Sequence, residues 1–522
     1  MERPTDQPIM APDPAAALPE DVLAEVLGRL APLVLAASRR VCRAWRDAVD
    51  ARLRRRLLSR SVRGIFIKFI GHGFSEFLSR PSTGPAICGG LDFLPSEGVK
   101  VTDHCNGLLL CSDRERDYVV NPATRRWARL PRRPPPQMPG FGQSAYLAFD
   151  PAVSPHYRVF LIPRLPGADK PDDEKDDALL ESKWPPVSYV LHVFSSTTDQ
   201  WKEETFLREG EAAGIVADMD SDLWYDCYHA VYWRSTLYIH CQHGYLTRMS
   251  LSDHTYKVIR LPAADELRGY PNYYLGRSLR GVYCAKDNYR NRLQLWHLDE
   301  SHHQTEWVLK HDIDLSTSAR RFYALNYNKR FGEDHAQKIG GPWILQDINY
   351  RKYMEEYPSP YYRAPVEEKY DWNSDEDNFL YIKDAVEVGY SASYHFLGFH
   401  PYKEIVYLEL CMGRGMAYDW NSLKFQDLGC LEPTDHHYVE EGITASFPYT
   451  PCWMGEFPGN ELESLLEDEK IARRKLEREA QLEDHSNFTF VDEYELRKLR
   501  GRAKRVKDSA TKIRRRRRVT AR

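Results

Sequence analysis

Residues 18–49 carry the clearest hydrophobic pattern of the chain, and its spacing is that of an α-helix. Apolar residues recur every four positions in two neighbouring rows, at Leu18, Val22, Val26 and Leu30 and at Leu23 and Leu27. An apolar stripe of this width is more than one short helical hairpin can bury by itself. The pattern therefore predicts that two different surfaces pack on this segment.

A second helical run follows Pro32, and its apolar or large residues are Leu33, Leu35, Val41, Cys42, Trp45 and Val49. At the start of the first run, Pro19 suits the first helical position, where its missing N–H costs nothing. Glu20 and Asp21 favour the positive end of the helix dipole. Because helices this short are marginal in isolation and need packing, we expect a small helical module over residues 18–57.

The same segment resembles the F-box, the helical module by which substrate receptors of cullin-type ubiquitin ligases hold their Skp-family adaptor. The resemblance rests on Leu18-Pro19, on the acidic pair that follows, and on Val41-Cys42-Arg43-Ala44-Trp45-Arg46. Residues 36–40 are richer in alanine than the usual linker. The resemblance implies that apolar residues enter or border the adaptor, namely Leu18, Pro19, Val22, Val26, Leu30, Leu33, Val41 and Trp45. The alternative is an ordinary amphipathic hairpin at a domain edge.

From residue 64 onward the sequence pattern changes to short runs of β-branched and aromatic residues, separated by Gly, Pro, Asn and Asp. Such spacing predicts many antiparallel strands joined by turns. The basic stretch before it, residues 52–63, is interpreted as a connector or solvated helical face, with a specific anion site as the alternative.

A weak internal repeat organises these strands. Residues 121–131 can be aligned with residues 252–262, which places Trp127 over Val258, and partial copies occur at residues 195–201, 304–307 and 421–425. Repeated four-stranded units build a β-propeller. Residues 64–453 resemble the kelch-like F-box-associated domains of plant receptors, which implies an all-β propeller. A stacked β-sandwich is the alternative fold.

Two segments are interpreted as insertions between blades. Residues 166–186 contain a charged run with almost no apolar content, which is typical of a mobile loop. Residues 328–378 are rich in tyrosine and proline, and a loop of this length is either functional or disordered. Because rigid aromatic area is what protein interfaces use, we favour a partly ordered binding loop.

The two ends of the chain differ in composition from the middle. Residues 1–17 are rich in Pro and Ala and are expected to form a disordered leader. Residues 458–522 switch to a charged helical pattern and end in a basic tail. The predicted fold class is therefore α+β and multidomain: a helical F-box, an all-β domain and a charged helical or disordered C-terminal segment.

Composition limits the compartment and the partners. The net charge of −4 and the pI near 6.5 argue against a globally basic nucleic-acid binder. The 10 cysteines include no CxxC pair, and no secretory signal or membrane span is recognisable, so we expect reduced thiols in a soluble, intracellular protein without membrane association.

No sequence motif nominates an enzyme, because phosphate-binding, zinc-protease and nucleophile-elbow patterns are missing from the places that would need them. We expect a protein that is not an enzyme and has no cofactor. The nearest approaches to metal ligands are His240, Cys241 and His243, and His436 with His437, but neither group has a second spaced pair. The acids at residues 375–377 lack the remaining features of a calcium loop.

The basic tail is interpreted as a nuclear-import signal, with candidate residues Lys504, Arg505, Lys507, Arg514, Arg515, Arg516, Arg517 and Arg518. A nucleic-acid contact and a merely solvated tail are the alternatives. The favoured location is the nucleus, the cytoplasm or both.

The sequence predicts a non-enzymatic receptor subunit of a Skp-cullin-F-box ubiquitin ligase. Its partners would be a Skp-family adaptor, through it a cullin, and a target protein held by the β domain. Replacing Leu18 and Pro19 together, or Trp45, by alanine is expected to abolish adaptor binding. The competing hypothesis is a nuclear scaffold or nucleic-acid-binding protein that acts through its tail, and a sugar-binding or hydrolytic propeller lacks a supporting carboxylate pair.

Overall fold

A computed structural model describes residues 18–454, with longer gaps at 165–176, 219–228, 263–271, 316–341, 357–378, 381–393 and 434–441. Shorter gaps lie at 83, 97, 114, 138–140, 242–243, 289–291, 302–304 and 411–412. The predicted leader, charged helix and basic tail lie outside the described residues. Within the part that the structure describes, no helix has the length and apolar content needed to cross a membrane.

The chain begins with three short α-helices, Glu20–Gly28 (α1), Pro32–Ser38 (α2) and Arg43–Ala48 (α3). A π-helical turn, Val49–Leu53, and a 3₁₀ turn, Arg54–Leu57, continue α3 toward the first strand. The helix α1 starts at Glu20 with Pro19 as its N-cap, one residue later than the sequence pattern predicts. Pro19 still contributes, because its carbonyl accepts the hydrogen bond from the Leu23 N–H at 3.0 Å.

The remaining described residues build six antiparallel blades. Each blade has four main strands, which are named in order from the innermost strand outward. Blade 1 has Ile443–Tyr449 (β27), Gly64–Phe69 (β1), Glu76–Ser79 (β2) and Ile344–Leu345 (β21); blade 2 has Lys100–Cys105 (β3), Leu108–Ser112 (β4), Asp117–Asn121 (β5) and Arg126–Arg129 (β6). Blade 3 has Gly142–Phe149 (β7), Tyr157–Arg164 (β8), Ser188–Ser195 (β10) and Gln200–Arg208 (β11); blade 4 has Ala230–Trp233 (β13), Thr236–Cys241 (β14), Tyr245–Ser250 (β15) and Thr255–Arg260 (β16). Blade 5 has Asn272–Ser278 (β17), Gly281–Asn288 (β18), Arg292–Asp299 (β19) and Glu306–Asp314 (β20); blade 6 has Tyr394–Phe399 (β23), Ile405–Leu410 (β24), Arg414–Asp419 (β25) and Lys424–Cys430 (β26).

Shorter described elements lie beside the blades. They are Asp177–Leu180 (α4), Lys183–Trp184 (β9), Gly214–Ile215 (β12), Ile348–Glu356 (α5) and Phe379–Leu380 (β22), which pairs with β26.

The innermost strands of the blades form a closed ring. Contacts run from β27 to β3, from β3 to β7, and on through β13, β17 and β23 back to β27. Blades 3 and 4 are also joined at their outer edges by a short parallel pairing of β11 with β16. The described residues therefore form a six-bladed β-propeller, which confirms the predicted fold and excludes the stacked β-sandwich.

Blade 1 closes the ring because it is assembled from three distant parts of the sequence. The C-terminal strand β27 pairs with β1, and Gly64 lies opposite Tyr449 in this register. The outermost strand β21 comes from the connection between blades 5 and 6 and pairs with β2. Trp343, just before β21, is buried in a cluster that contains residues of blades 1 and 6.

A buried carboxylate fixes the segment that supplies β21. Glu76 of β2 accepts hydrogen bonds from the Ile348 N–H at 2.5 Å and from the Asn349 N–H at 2.9 Å, which caps α5. Burial raises the pKa of Glu76, but hydrogen bonds from His72 and Asn349 outweigh it and hold that pKa below its usual value. Part of the predicted loop 328–378 is therefore an ordered component of blade 1.

The other predicted insertion, residues 166–186, starts after β8 and ends before β10, inside blade 3 rather than between two blades. Its described part contains α4 and β9, and β9 pairs with β12. The charged run in the middle of the insertion lies outside the described residues.

The sequence repeat corresponds to one structural feature, the hairpin between the third and fourth strands of a blade. The second residue of the outer strand is aromatic in five blades: Trp127, Trp201, Tyr256, Trp307 and Phe425. In four of these hairpins the residue before the outer strand has a positive φ: Arg125, Asp199, His254 and Leu423.

The register of the predicted repeat was wrong by two residues. Trp127 corresponds to Tyr256 and not to Val258, because both follow the positive-φ residue by two positions. The sequence alignment matched Thr124 with Thr255, but Thr124 lies within its turn whereas Thr255 begins a strand.

Candidate functional site

The two apolar rows of α1 have opposite environments. Leu23 and Leu27 are 3% and 0% exposed and belong to the hydrophobic core. Leu18, Val22 and Val26 are 47%, 43% and 50% exposed. The structure confirms that this stripe has two surfaces, one of which packs inside the molecule while the other is open to solvent.

The exposed apolar surface extends beyond α1. We use the name outer apolar surface for the exposed large aliphatic residues of the helical module, which are Leu18, Val22, Val26, Leu33, Val34 and Val41. Pro19 is also exposed. Val34 was missed at the sequence level, although it follows Leu33 directly in a run of five apolar residues, 33–37.

Two of the residues predicted to face a partner have a different environment. Leu30 and Trp45 are half-buried and pack against the hydrophobic core. The indole Nε1 of Trp45 is buried and has no hydrogen-bond partner among the described residues. Trp45 thus packs partly against a core that the module shares with blades 2 and 3, so its replacement by alanine would disturb the fold as well as any partner.

Ion pairs hold the helices of the module in place. The Arg39 guanidinium, which is almost fully buried, donates through Nε and Nη2 to the two carboxylate oxygens of Asp50, both at 2.8 Å. Such bidentate pairs fix orientation as well as contributing energy. Arg52 pairs with Asp21 at the start of α1, and Arg56 donates to the carbonyl of Gly28 at its end. The start of the basic stretch 52–63 is thus a connector that packs back on α1.

The module is tied to one face of the propeller. The Trp453 N–H donates to the Leu57 carbonyl and the Ser59 N–H to the Pro451 carbonyl, both at 2.9 Å. The Asn121 side chain donates to the Cys452 carbonyl at 3.0 Å, which links the same segment to blade 2. The module therefore lies on the face where the innermost strands end and turn into the second strands.

A central cavity opens among the inner strands of the propeller. Residues of β3, β13, β17, β23 and β27 line it, and they include His104, His229 and Arg277. Loss of solvent lowers the pKa of both histidines to about 4, and the nearby Arg277 adds to the effect at His104. Both rings are consequently neutral at physiological pH.

Burial has the opposite effect on the acidic groups of this region. It raises the pKa of the Asp103 carboxyl to about 7, although the Leu147 and His104 N–H groups act against the shift. It also raises the pKa of the Cys105 thiol to about 12, so this cysteine stays protonated. The cysteines of the described residues are free thiols, as the sequence predicts.

The metal candidates gain no support from the geometry. Among the described residues, no group of three or more His, Cys, Asp or Glu side chains is arranged to hold an ion. The Cys241 thiol lies 3.2 Å from the Thr247 hydroxyl. His243, His436, His437 and the acids at residues 375–377 lie outside the described residues, as do all eight nuclear-import candidates.

Comparison with known proteins identifies the helical module. A family model described as F-box-like matches residues 15–60. No curated protein matches the chain.

Solved structures with similar backbones include YCF48 bound to D1 peptide, at 7% identity over 71% of this chain and 82% of that one, with a TM-score of 0.29. Another is Citrobacter koseri AztD, at 12% identity over 73% of this chain and 82% of that one, with a TM-score of 0.25. A third comes from work on two prolyl endopeptidases, at 8% identity over 80% of this chain and 55% of that one, with a TM-score of 0.30. These values are too low to support any argument about function.

The closed ring of blades identifies the propeller. The match to the family model, together with the three observed helices, identifies the N-terminal helical module. Residues 15–60 form an F-box-like domain, which is tied to one face of a six-bladed β-propeller.

Proposed function

We propose that this protein is the substrate-recognition subunit of a Skp-cullin-F-box ubiquitin ligase. Its F-box-like domain binds a Skp-family adaptor, through which a cullin is recruited, and its propeller holds a target protein. The observation that carries the proposal is the outer apolar surface, because exposed apolar patches on soluble proteins mark interaction sites. An F-box-like domain that presents such a surface is suited to a helical adaptor.

The proposed role is positional rather than catalytic. A receptor of this kind brings lysines of the target close to a ubiquitin-loaded enzyme and supplies no nucleophile of its own. The fixed attachment of the F-box-like domain to the propeller supports this role, because it sets the distance between adaptor and target. Action in the nucleus through the basic tail remains a prediction from the sequence.

The test replaces two exposed residues of α1 in the full-length protein. Val22→Asp with Val26→Asp puts two charges into the apolar contact, and we expect the affinity for a co-expressed Skp-family adaptor to fall at least about 100-fold. The matched control is Glu25→Gln, which changes an exposed residue of the same helix that pairs with Arg29. Co-purification and surface plasmon resonance measure the binding.

Circular dichroism and limited proteolysis check that the propeller is intact in both variants. Adaptor binding at the wild-type level by the folded double variant would show that the proposed function is wrong. Equal loss of binding in the Glu25→Gln control would show that the contact depends on α1 as a whole and not specifically on the outer apolar surface.

A further inference from the structure

One arginine of the central cavity is held in an unusual environment. The Arg277 guanidinium, at the end of β17, lies between two rings, with its Cζ 5.3 Å from the ring centroid of Trp233 and 5.2 Å from that of Tyr402. Its Nη1 donates to the Asn106 side-chain oxygen at 3.0 Å. These contacts come from blades 4, 6 and 2, so the guanidinium is immobilised at the mouth of the cavity, on the face that carries the F-box-like domain.

Within the described part of the chain, the Arg277 guanidinium forms no ion pair with a carboxylate. Four other partly buried arginines of the propeller pair with a carboxylate, namely Arg133 with Asp117, Arg158 with Glu204, Arg248 with Glu300 and Arg414 with Asp427. Arg208, like Arg277, instead donates to neutral acceptors, the carbonyls of Pro185 and Gly210. Among the described residues, no carboxylate lies within 4.0 Å of Arg277. A partly desolvated charge is costly unless an opposite charge or hydrogen bonds compensate it.

The cavity offers a second polar group. The His229 Nε2 atom is buried and has no hydrogen-bond partner among the described residues, and its neutral ring can carry a proton on that nitrogen. Asp103 also lines the cavity, but one of its oxygens accepts the Leu147 N–H at 2.7 Å from the neighbouring blade. The cavity wall thus combines one permanent cation with histidine rings that burial keeps neutral.

The size and walls of the cavity limit what can enter. Its volume is about 90 Å³, which exceeds the roughly 10–15 Å³ that one water molecule needs and leaves room for a small acid group. Aromatic rings form part of the wall, among them Tyr274 and Phe396, which stack at 4.9 Å. A single arginine matches a monoanion better than a phosphate dianion, which usually draws several cations.

We propose that this mouth of the central channel binds a carboxylate group through Arg277. The ligand is either a small organic acid or the free carboxyl end of a polypeptide, and an aromatic or aliphatic part next to the carboxylate lies against the ring walls. Arg277 presents planar N–H donors to the carboxylate oxygens, while Trp233, Tyr402 and Asn106 hold the guanidinium in place. Only the identification of a bound polypeptide as a ligase target rests on the proposed function.

The experiment titrates the full-length wild-type protein with matched acids and amides by isothermal calorimetry at constant ionic strength. The probes are acetate, phenylacetate, phenylacetamide, and the tripeptide Gly-Gly-Phe with a free or an amidated carboxyl end. We expect phenylacetate to bind at least about tenfold more tightly than its amide, the size of one charge-assisted hydrogen bond.

Binding of phenylacetate alone would assign the site to small acids. Binding of the free tripeptide as well, but not of its amide, would assign the site to carboxyl ends of polypeptides. Equal binding, or no binding, of acids and amides overturns the proposal without the need for any variant.

Variants then locate the site. Arg277→Gln should weaken phenylacetate binding at least about tenfold, and Arg277→Lys should restore part of it because the charge returns without the planar donors. The control is Arg280→Gln, at an exposed arginine of the adjoining turn that pairs with Glu404. Unchanged affinity in folded Arg277→Gln overturns the assignment to Arg277, and adaptor co-purification, measured in parallel, reports the proposed function separately.

Discussion

The F-box-like domain and the propeller both contain many large apolar residues, but they expose them differently. In the helical module, six large aliphatic side chains between residues 18 and 41 are 37–61% exposed. In the propeller, exposed aliphatic residues such as Val153, Leu309 and Leu423 lie in three different blades. Scattered exposure of this kind is normal for a soluble domain, whereas a concentration on one small module indicates a partner.

The difference follows from how each region completes its core. A propeller buries both faces of every sheet against its neighbours, and the ring leaves no blade without a partner once β27 pairs with β1. Three short helices cannot enclose an apolar stripe as wide as that of α1. The propeller is therefore complete as a fold, whereas the helical module buries only its inner apolar row, in a core shared with blades 2 and 3, and leaves its outer row in solvent.

The largest expected effect concerns the closure of the propeller. Trp343→Ala removes a buried indole between blades 1 and 6, and we expect it to lower the free energy of unfolding by about 3–5 kcal/mol. Hydrogen exchange should accelerate in β21, α5 and blade 6, because the space left by the missing indole lies next to these elements. Hydrogen exchange with mass spectrometry measures the change for each segment.

The neighbouring residue is the matched control for this prediction. Ile344 is exposed, and Ile344→Ala should change stability by less than about 0.5 kcal/mol. Wild-type exchange rates in the Trp343→Ala variant would mean that the ring does not depend on the segment that supplies β21.

The second prediction uses two adjacent residues of α1 to separate its surfaces. Leu27→Ala should destabilise the F-box-like domain by about 2–5 kcal/mol, since Leu27 is fully buried. Val26→Ala should leave stability within about 0.5 kcal/mol and should weaken adaptor binding instead. Hydrogen exchange of residues 20–57 reports stability, and plasmon resonance with the adaptor reports binding.

The opposite result would remove the distinction between the two surfaces. If Val26→Ala accelerated exchange as much as Leu27→Ala, the outer apolar surface would belong to the packing of the protein itself. If Val26→Ala left adaptor binding intact, the partner would contact another part of the module.

Local patterns in the sequence were sufficient for the elements and for the repeat. The four-residue spacing of Val22 and Val26 identified the helix and its surplus of apolar surface. The repeated turn followed by a large apolar residue predicted repeated four-stranded units, but it left the number of blades open, and threonine was a poor marker of register. The alternation of strands and turns predicted an all-β domain, and the preference for a propeller over a β-sandwich rested on the repeat and on the resemblance to F-box-associated domains.

Long-range pairings could not be predicted, because they depend on contacts between residues far apart in the chain. Nothing local in Ile344 or Leu345 indicates that they pair with β2, more than 260 positions earlier. The burial of Trp45 was likewise invisible, because a large aromatic residue suits an interface and a core equally well. The environment of Arg277 arises only when blades 2, 4 and 6 meet around its guanidinium.

The third and smallest predicted effect concerns Asp103, a carboxyl group that is buried inside the propeller. Burial raises the pKa of Asp103 to about 7 in the folded protein, whereas an unfolded Asp has a pKa of about 3.9. The stabilising contribution of protonated Asp103 is therefore fully present below about pH 3.9 and is lost as the pH rises through about 7. Between pH 5 and pH 8 the loss is on the order of 2–3 kcal/mol.

Asp103→Asn removes this dependence while keeping an oxygen that can accept the Leu147 N–H. Because the amide cannot ionise, the variant should be more stable than the wild type at pH 8 and should lose most of that advantage at pH 4. Scanning calorimetry from pH 4 to pH 8 measures the difference in stability between the two proteins. Because both contain His104 and His229, the titration of these histidines cancels from that difference. A stability difference that does not change with pH would mean that Asp103 stays ionised inside the propeller, with a counter-charge that offsets its burial.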